Sequence, residues 1–145
     1  MGKHTKRQPR LSAGIVVTRR LGGAPHYLLL RAYQYWDFPK GEVERGEQPL
    51  QAAKREVKEE TTLEDLVFHW GEVYRETPPY GRGKIARYYL AESQQGEVAL
   101  PVNPELGHPE HHEFRWLRYP AARACLGGRL QPVLDWAQAL VMGKT

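Results

Sequence analysis

Glu56, Glu59 and Glu60 stand at positions i, i+3 and i+4, a spacing that puts three carboxylates on one face of a helix. Helix-forming composition runs from Gln48 to Glu60, and Leu50, Ala53 and Val57 form an apolar stripe beside the acidic one. The carboxylates therefore border the buried face instead of pointing fully into solvent. So close together, they raise one another's pKa unless a cation sits among them. Hard oxygen donors of this kind suit Mg²⁺ or Mn²⁺, ions that usually take phosphate substrates as co-ligands. The competing reading is a solvated helix face with ordinary i,i+4 Glu/Lys pairs, the usual fate of charge runs.

The pattern extends beyond the helix. Gly41, Glu47, Arg55, Glu56, Val57, Glu59, Glu60 and Leu63 follow the order Gly-x5-Glu-x7-Arg-Glu-Val-x-Glu-Glu-x-x-Leu. This resembles the Nudix box, Gly-x5-Glu-x7-Arg-Glu-U-x-Glu-Glu-x-Gly-U with U aliphatic. The one departure is Thr62, which stands where the family has glycine. That glycine closes the helix in a left-handed conformation suited to a residue without Cβ, so the departure concerns helix termination and not the carboxylates.

The resemblance implies a metal held by Glu56, Glu59 and Glu60, with the main-chain carbonyl of Lys40 or Gly41 completing part of the shell. It implies that Arg55 pairs with Glu47 and fixes the loop against the helix; lysine, lacking the planar fork, would replace it poorly. Hydrolysis of a phosphoanhydride needs nucleophilic water, electrophilic phosphorus and a stabilised leaving phosphate, and a divalent cation serves all three. The proton acceptor stays open between Glu56, Glu60 and a glutamate outside the box, for which Glu110 is the candidate. An exposed loop acid is the alternative for Glu110. His108, His111 and His112 invite a zinc site, but no cysteine lies near and the spacing fits no usual structural pattern.

Weaker matches flank the box. Tyr35-Trp36-Asp37-Phe38-Pro39-Lys40-Gly41, Arg75-Glu76 leading to Tyr80, Lys84 and Tyr88 before Tyr89-Leu90-Ala91-Glu92, and Glu110-His111 ahead of Arg115-Trp116-Leu117 resemble asymmetric diadenosine tetraphosphate hydrolases. They imply a nucleotide polyphosphate across the metal site, with Lys84 and Arg82 near phosphates and Tyr80 near an adenine. Trp36 and Tyr88 are further candidates for substrate contact. Removal of pyrophosphate from RNA 5′ ends, hydrolysis of nucleoside triphosphates, and a non-catalytic nucleotide-binding module are the competing functions. Phe38 and Tyr89 read as core.

The elements that position these residues follow from local pattern. Ser12 to Arg20 and Tyr27 to Ala32 read as strands on either side of a Gly-Gly-Ala-Pro turn, and further strands are expected at Leu66 to Tyr74, Ile85 to Ala91 and Glu113 to Leu117. Tyr33 to Gly46 reads as an irregular loop, and Thr77 to Gly83 and Gln94 to Pro109 as mobile connections. A short helix is expected after Pro120 and an amphipathic one over Leu130 to Met142, burying Val133, Trp136, Ala137, Leu140 and Val141. Strands mixed with helices give an α/β layered domain. The resemblance sharpens this to the Nudix fold, a mixed β-sheet sandwiched between α-helices.

A chain of 145 residues fits one domain, read as 11–145 behind a basic, loose tail at 1–10. The net charge of +4 owes much to Lys3, Lys6, Arg7 and Arg10 in that tail; a nucleic-acid arm is its alternative. The single Cys125 makes an internal disulfide impossible and points to a buried structural thiol and a cytoplasmic setting. No apolar run approaches a membrane span, no signal-peptide stretch opens the sequence, and Lys6 breaks a myristoylation pattern at Gly2.

Overall fold

A computed structural model describes residues 10–143. The segment 1–9, which holds most of the basic tail, lies outside the described residues. Arg10, counted with the tail by its charge, opens the first strand.

One mixed sheet of eight strands organises the chain. β1 (Arg10–Leu21) and β2 (Ala24–Ala32) form an antiparallel hairpin that pairs only near its turn, Thr18 to Leu21 against Tyr27 to Ala24. β7 (Lys84–Ser93) runs parallel to β1 from Arg10 to Thr18, and β10 (Glu113–Arg118) lies antiparallel on the outer side of β2. Both faces of β1 and β2 are covered, so each reads as a continuous apolar run and not as an alternation. Val16, Tyr27, Leu29, Tyr88 and Leu90 point toward α2 (Tyr119–Cys125) and α3 (Gln131–Val141). Ala13, Ile15, Val17, Leu28, Leu30, Tyr89 and Ala91 point toward α1 (Pro49–Thr61). No helix among the described residues is long and apolar enough to cross a membrane.

Several connections are more ordered than their composition predicts. Within the expected loop Tyr33 to Gly46, β3 (Tyr35–Asp37) pairs with β2, and β4 (Lys40–Glu42) pairs with the free half of β1 at Ser12 to Gly14. Gly14 permits that approach, since a Cβ there would sit 2.3 Å from the Pro39 carbonyl oxygen. The strand expected over Leu66 to Tyr74 is two pieces, β5 (Leu66–Val67) and β6 (Tyr74–Glu76). Gly71, at φ 83°, turns the chain between them, and the Trp70 indole donates to the Leu140 carbonyl, drawing the turn onto α3. The connection Thr77 to Gly83 is tied down: Tyr80 and Lys84 exchange both main-chain hydrogen bonds, and Thr77 does the same for Ala86 through main chain and hydroxyl. Gln94 to Pro109 carries a small hairpin of β8 (Val102–Asn103) and β9 (His108–Pro109). Cys125 is free and half-buried, against the expectation of a buried thiol.

α1 begins one residue later than its composition predicts, with Pro49 in its first turn, where a missing N–H costs nothing. It ends on Thr62 at φ 67°, ψ 2°, whose N–H donates to the Lys58 carbonyl. This is the left-handed conformation that the family's glycine adopts without steric cost. Thr62→Gly is expected to stabilise the fold by a few tenths to about 1 kcal/mol, because relief of Cβ crowding exceeds the added unfolded-state entropy. Thermal melts check this; a lower melting temperature would contradict it.

Candidate active site

Four segments meet at one end of α1. β4 lies against the helix so closely that a Cβ on Gly41 would fall 2.0 Å from the Glu56 carboxyl carbon. The Lys40 N–H donates to Glu60 Oε1 at 3.2 Å. The main chain at Lys40 and Gly41 therefore touches two of the three helix carboxylates. Exposure falls steeply along the acidic edge: the side chain of Glu59 is 58% exposed and that of Glu56 14%, while Glu60 retains 8% of its surface. Burial pushes Glu60 well above the usual carboxylate range, and the charges of Glu110 and Glu56 add to it. Burial raises Glu56 too, against the opposing pull of Arg55.

Arg55 holds this edge together. Its Nε and Nη2 donate to the two oxygens of Glu47 at 2.8 and 3.0 Å, Nη1 donates to Glu56 at 2.7 Å and Glu59 at 3.3 Å, and Nη2 also reaches the Glu42 carbonyl. The paired hydrogen bonds from Arg55 hold Glu47 below its ordinary pKa. Loop, helix and β4 are thus locked through a single planar fork.

The segment before β10 closes the cluster. Ligand atoms of Glu60, Glu110 and His111 lie within 4.8 Å of one another. They line a cavity of about 480 Å³ together with Glu56, Glu59 and the Leu100 to Glu105 stretch. Burial holds His111 below the usual imidazole value despite the raising effect of Glu110, which favours a neutral ring with a free lone pair. The sequence names His111 beside Glu110 in a flanking match and among three histidines weighed for zinc, but gives it no role at a carboxylate-rich cation site. The other two lie elsewhere: His112 accepts the Tyr33 N–H at Nδ1, and His108 is exposed and bonds the Pro109 carbonyl. The donor set is mostly carboxylate oxygen, with Glu60 buried and, among the described residues, opposed by no side-chain cation at hydrogen-bonding distance. Such a set fits a hard divalent cation.

The other residues expected to contact substrate fall into three groups. Arg82 and Lys84 are exposed on the turn before and at the start of β7. Tyr88 is corrected to a core role: it is fully buried, and its phenol donates to Asp37 Oδ1 at 2.8 Å, so it offers no face to a ligand. The face of Trp36 lies under the Arg115 guanidinium at 5.1 Å, and that of Tyr80 under the Arg129 guanidinium at 4.0 Å. Asp37 also accepts the Phe38 N–H and faces Lys40 Nζ at 3.5 Å. Burial alone would lower the Lys40 pKa, but Asp37, Tyr80 and Glu60 outweigh it and hold the ammonium charged.

A NUDIX domain profile matches residues 8–137, and the chain belongs to the Nudix family. It is an enzyme of phosphoanhydride hydrolysis. The bis(5′-nucleosyl)-tetraphosphatase (asymmetrical) of Caenorhabditis elegans is 39% identical over 113 residues, covering 72% of this chain and 76% of the relative. An RNA pyrophosphohydrolase of Shewanella sediminis is 27% identical over 126 residues, covering 76% and 71%. A crystal structure of a C. elegans Ap4A hydrolase binary complex superposes with a TM-score of 0.80 at 29% identity, covering 92% of this chain and 98% of that one.

The raised carboxylates give a pH signature. A group whose folded pKa is raised contributes stability below its unfolded pKa and loses it as pH climbs through the folded value, so Glu56 and Glu60 weaken the metal-free fold as they ionise. A cation binding the ionised pair reverses that loss. The rise in melting temperature on adding Mg²⁺ is therefore expected to grow as pH is raised from roughly 5 to 8. A rise that is flat or shrinks over that range would contradict the assignment.

Proposed function

We propose that this protein cleaves diadenosine tetraphosphate asymmetrically to ATP and AMP with Mg²⁺. The observation that carries the reading is the convergence of Glu56, Glu60, Glu110 and His111 on one cavity, with the Lys40 N–H on Glu60 and the Lys40 ammonium close enough to Tyr80 for the two to interact. A dinucleotide needs such continuity: an acidic cation site for the cleaved anhydride, and a cationic, aromatic flank for the remaining phosphates and a base. The 39% identity to an asymmetrical tetraphosphatase supports the same substrate class.

In this reading Glu56 and Glu60 hold the cation, with Glu59, His111 and the Lys40 main chain at its margin. When bound, the cation supplies Lewis acidity toward the phosphoryl oxygens. Glu56 is restrained by Arg55 and Glu60 by the Lys40 N–H, whereas Glu110 is exposed at the cavity mouth. Glu110 is therefore the group free to take a proton from the attacking water. Arg55 and Glu47 position Glu56 and contact no substrate. Lys84 and Arg82 receive outer phosphates and Tyr80 a base, with Trp36 a further candidate for stacking. The lone Cys125 suits a cytoplasmic setting.

RNA 5′-end pyrophosphohydrolysis is the second reading, favoured by the similarity to the Shewanella enzyme. Rates on diadenosine tetraphosphate, ATP and a 5′-triphosphorylated RNA, compared as kcat/KM in Mg²⁺, separate the two. The dinucleotide is expected to lead by at least about tenfold. A lead for the RNA would transfer the function to the second reading.

A further inference from the structure

Tyr80 is anchored by its paired main-chain bonds to Lys84, packs against the core, and has the Arg129 guanidinium stacked over its ring at 4.0 Å. A base can use that ring face only if Arg129 leaves it. Arg129 is weakly held. Its Nη1 is buried with no hydrogen-bond partner among the described residues, and its Nη2 lies 3.9 Å from Asp37 Oδ2, beyond hydrogen-bonding length. Asp37 is already engaged by the Tyr88 phenol, the Phe38 N–H and Lys40 Nζ. Two cations thus share one occupied carboxylate. Exposed Gly127 and Gly128 immediately precede Arg129, in the bend between α2 and α3. Through Lys40, whose N–H reaches Glu60, this cationic pair adjoins the acidic cluster.

We propose that Arg129 is a substrate-recruited phosphate ligand. A polyphosphate lying between Lys40 and the turn at Arg82 draws the guanidinium off Tyr80 into charge-assisted hydrogen bonds, and the vacated ring face receives the nucleobase. A guanidinium fork on phosphate is a stronger interaction than its stack on a tyrosine, so the exchange runs toward the bound state. Phosphate and base then bind cooperatively through one side chain. This rests on the Proposed function only in taking a nucleotide polyphosphate as ligand.

The test uses the full chain with Mg²⁺ and two probes, the dinucleotide as substrate and inorganic tripolyphosphate as a competitive inhibitor that has no base. Arg129→Ala is expected to raise KM roughly 10- to 100-fold with kcat nearly unchanged, and to weaken tripolyphosphate inhibition by a similar factor. Arg129→Lys, which keeps the charge but not the planar fork, is expected to recover part of both, and the wild-type KM should rise more steeply with salt than that of Arg129→Ala. Tyr80→Ala should raise the dinucleotide KM and leave tripolyphosphate inhibition intact. Wild-type or lower KM in Arg129→Ala overturns the proposal, whether or not the melting temperature falls, since the arginine is then only a cover or a packing group. Failure of Arg129→Lys to recover inhibition in a folded variant also overturns it. Should the wild type not cleave the dinucleotide while tripolyphosphate affinity, read by calorimetry, still depends on Arg129, the substrate assignment falls and this inference stands.

Discussion

Glu60→Gln is expected to lower kcat/KM by about three orders of magnitude or more while leaving the fold intact. Gln has the shape of the protonated acid, and burial already drives Glu60 toward that form in the metal-free protein. The variant should therefore melt no lower than the wild type in chelator, yet lose most of the melting-temperature gain from Mg²⁺. Glu110→Gln has a different signature: its rate falls by about two orders of magnitude, mainly in kcat, while the response to Mg²⁺ persists. Steady-state kinetics with melts in chelator and in Mg²⁺ read both variants. A Glu60→Gln enzyme within tenfold of the wild type, or a Glu110→Gln enzyme that has lost its metal response, would contradict the division of roles.

Gly41→Ala is the second large effect. The added methyl group would meet the Glu56 carboxyl carbon at 2.0 Å, well inside contact distance. Glu56 is held from the other side by Arg55, whose fork is fastened to Glu47, so it has nowhere to retreat without opening that network. Either β4 or the carboxylate must shift by about 1 Å, and a displacement of that size at a reacting centre costs on the order of a hundredfold in rate. The expected result is a hundredfold or greater loss in kcat/KM with far-ultraviolet circular dichroism unchanged. Wild-type kinetics would show that the β4 and α1 contact is looser than these distances state.

What could be read from the chain without its structure was short-range. Glu56, Glu59 and Glu60 share one helix, and Arg55 and Glu47 lie close enough in sequence for spacing to pair them. Thr62 announced a left-handed helix end because one position in a dense pattern broke rank. Gly41 was legible as a fixed position of the pattern, but its physical reason is the Glu56 carboxylate against its Cα, a tertiary contact. Glu110 was legible through its neighbours. His111 stood beside it in the same match, but a histidine beside a histidine carries no spacing that marks which ring turns inward. Tyr88 and Tyr89 posed a similar problem: adjacent strand residues point to opposite faces, and both faces of β7 turned out to be covered. Arg129 had no local signal. Its relation to Asp37 and Tyr80 arises only when the bend between α2 and α3 is folded back over the sheet, and the mid-chain turn at Gly71 was hidden for the same reason by the apolar character of its flanks.

Cleavage of diadenosine tetraphosphate in H₂¹⁸O with Mg²⁺, followed by mass analysis of the products, tests the central claim most directly. Attack at the phosphorus beside the shorter product predicts equal ATP and AMP, with the heavy oxygen in AMP. Formation of two ADP, or no turnover of the dinucleotide in a preparation that binds Mg²⁺, would contradict it.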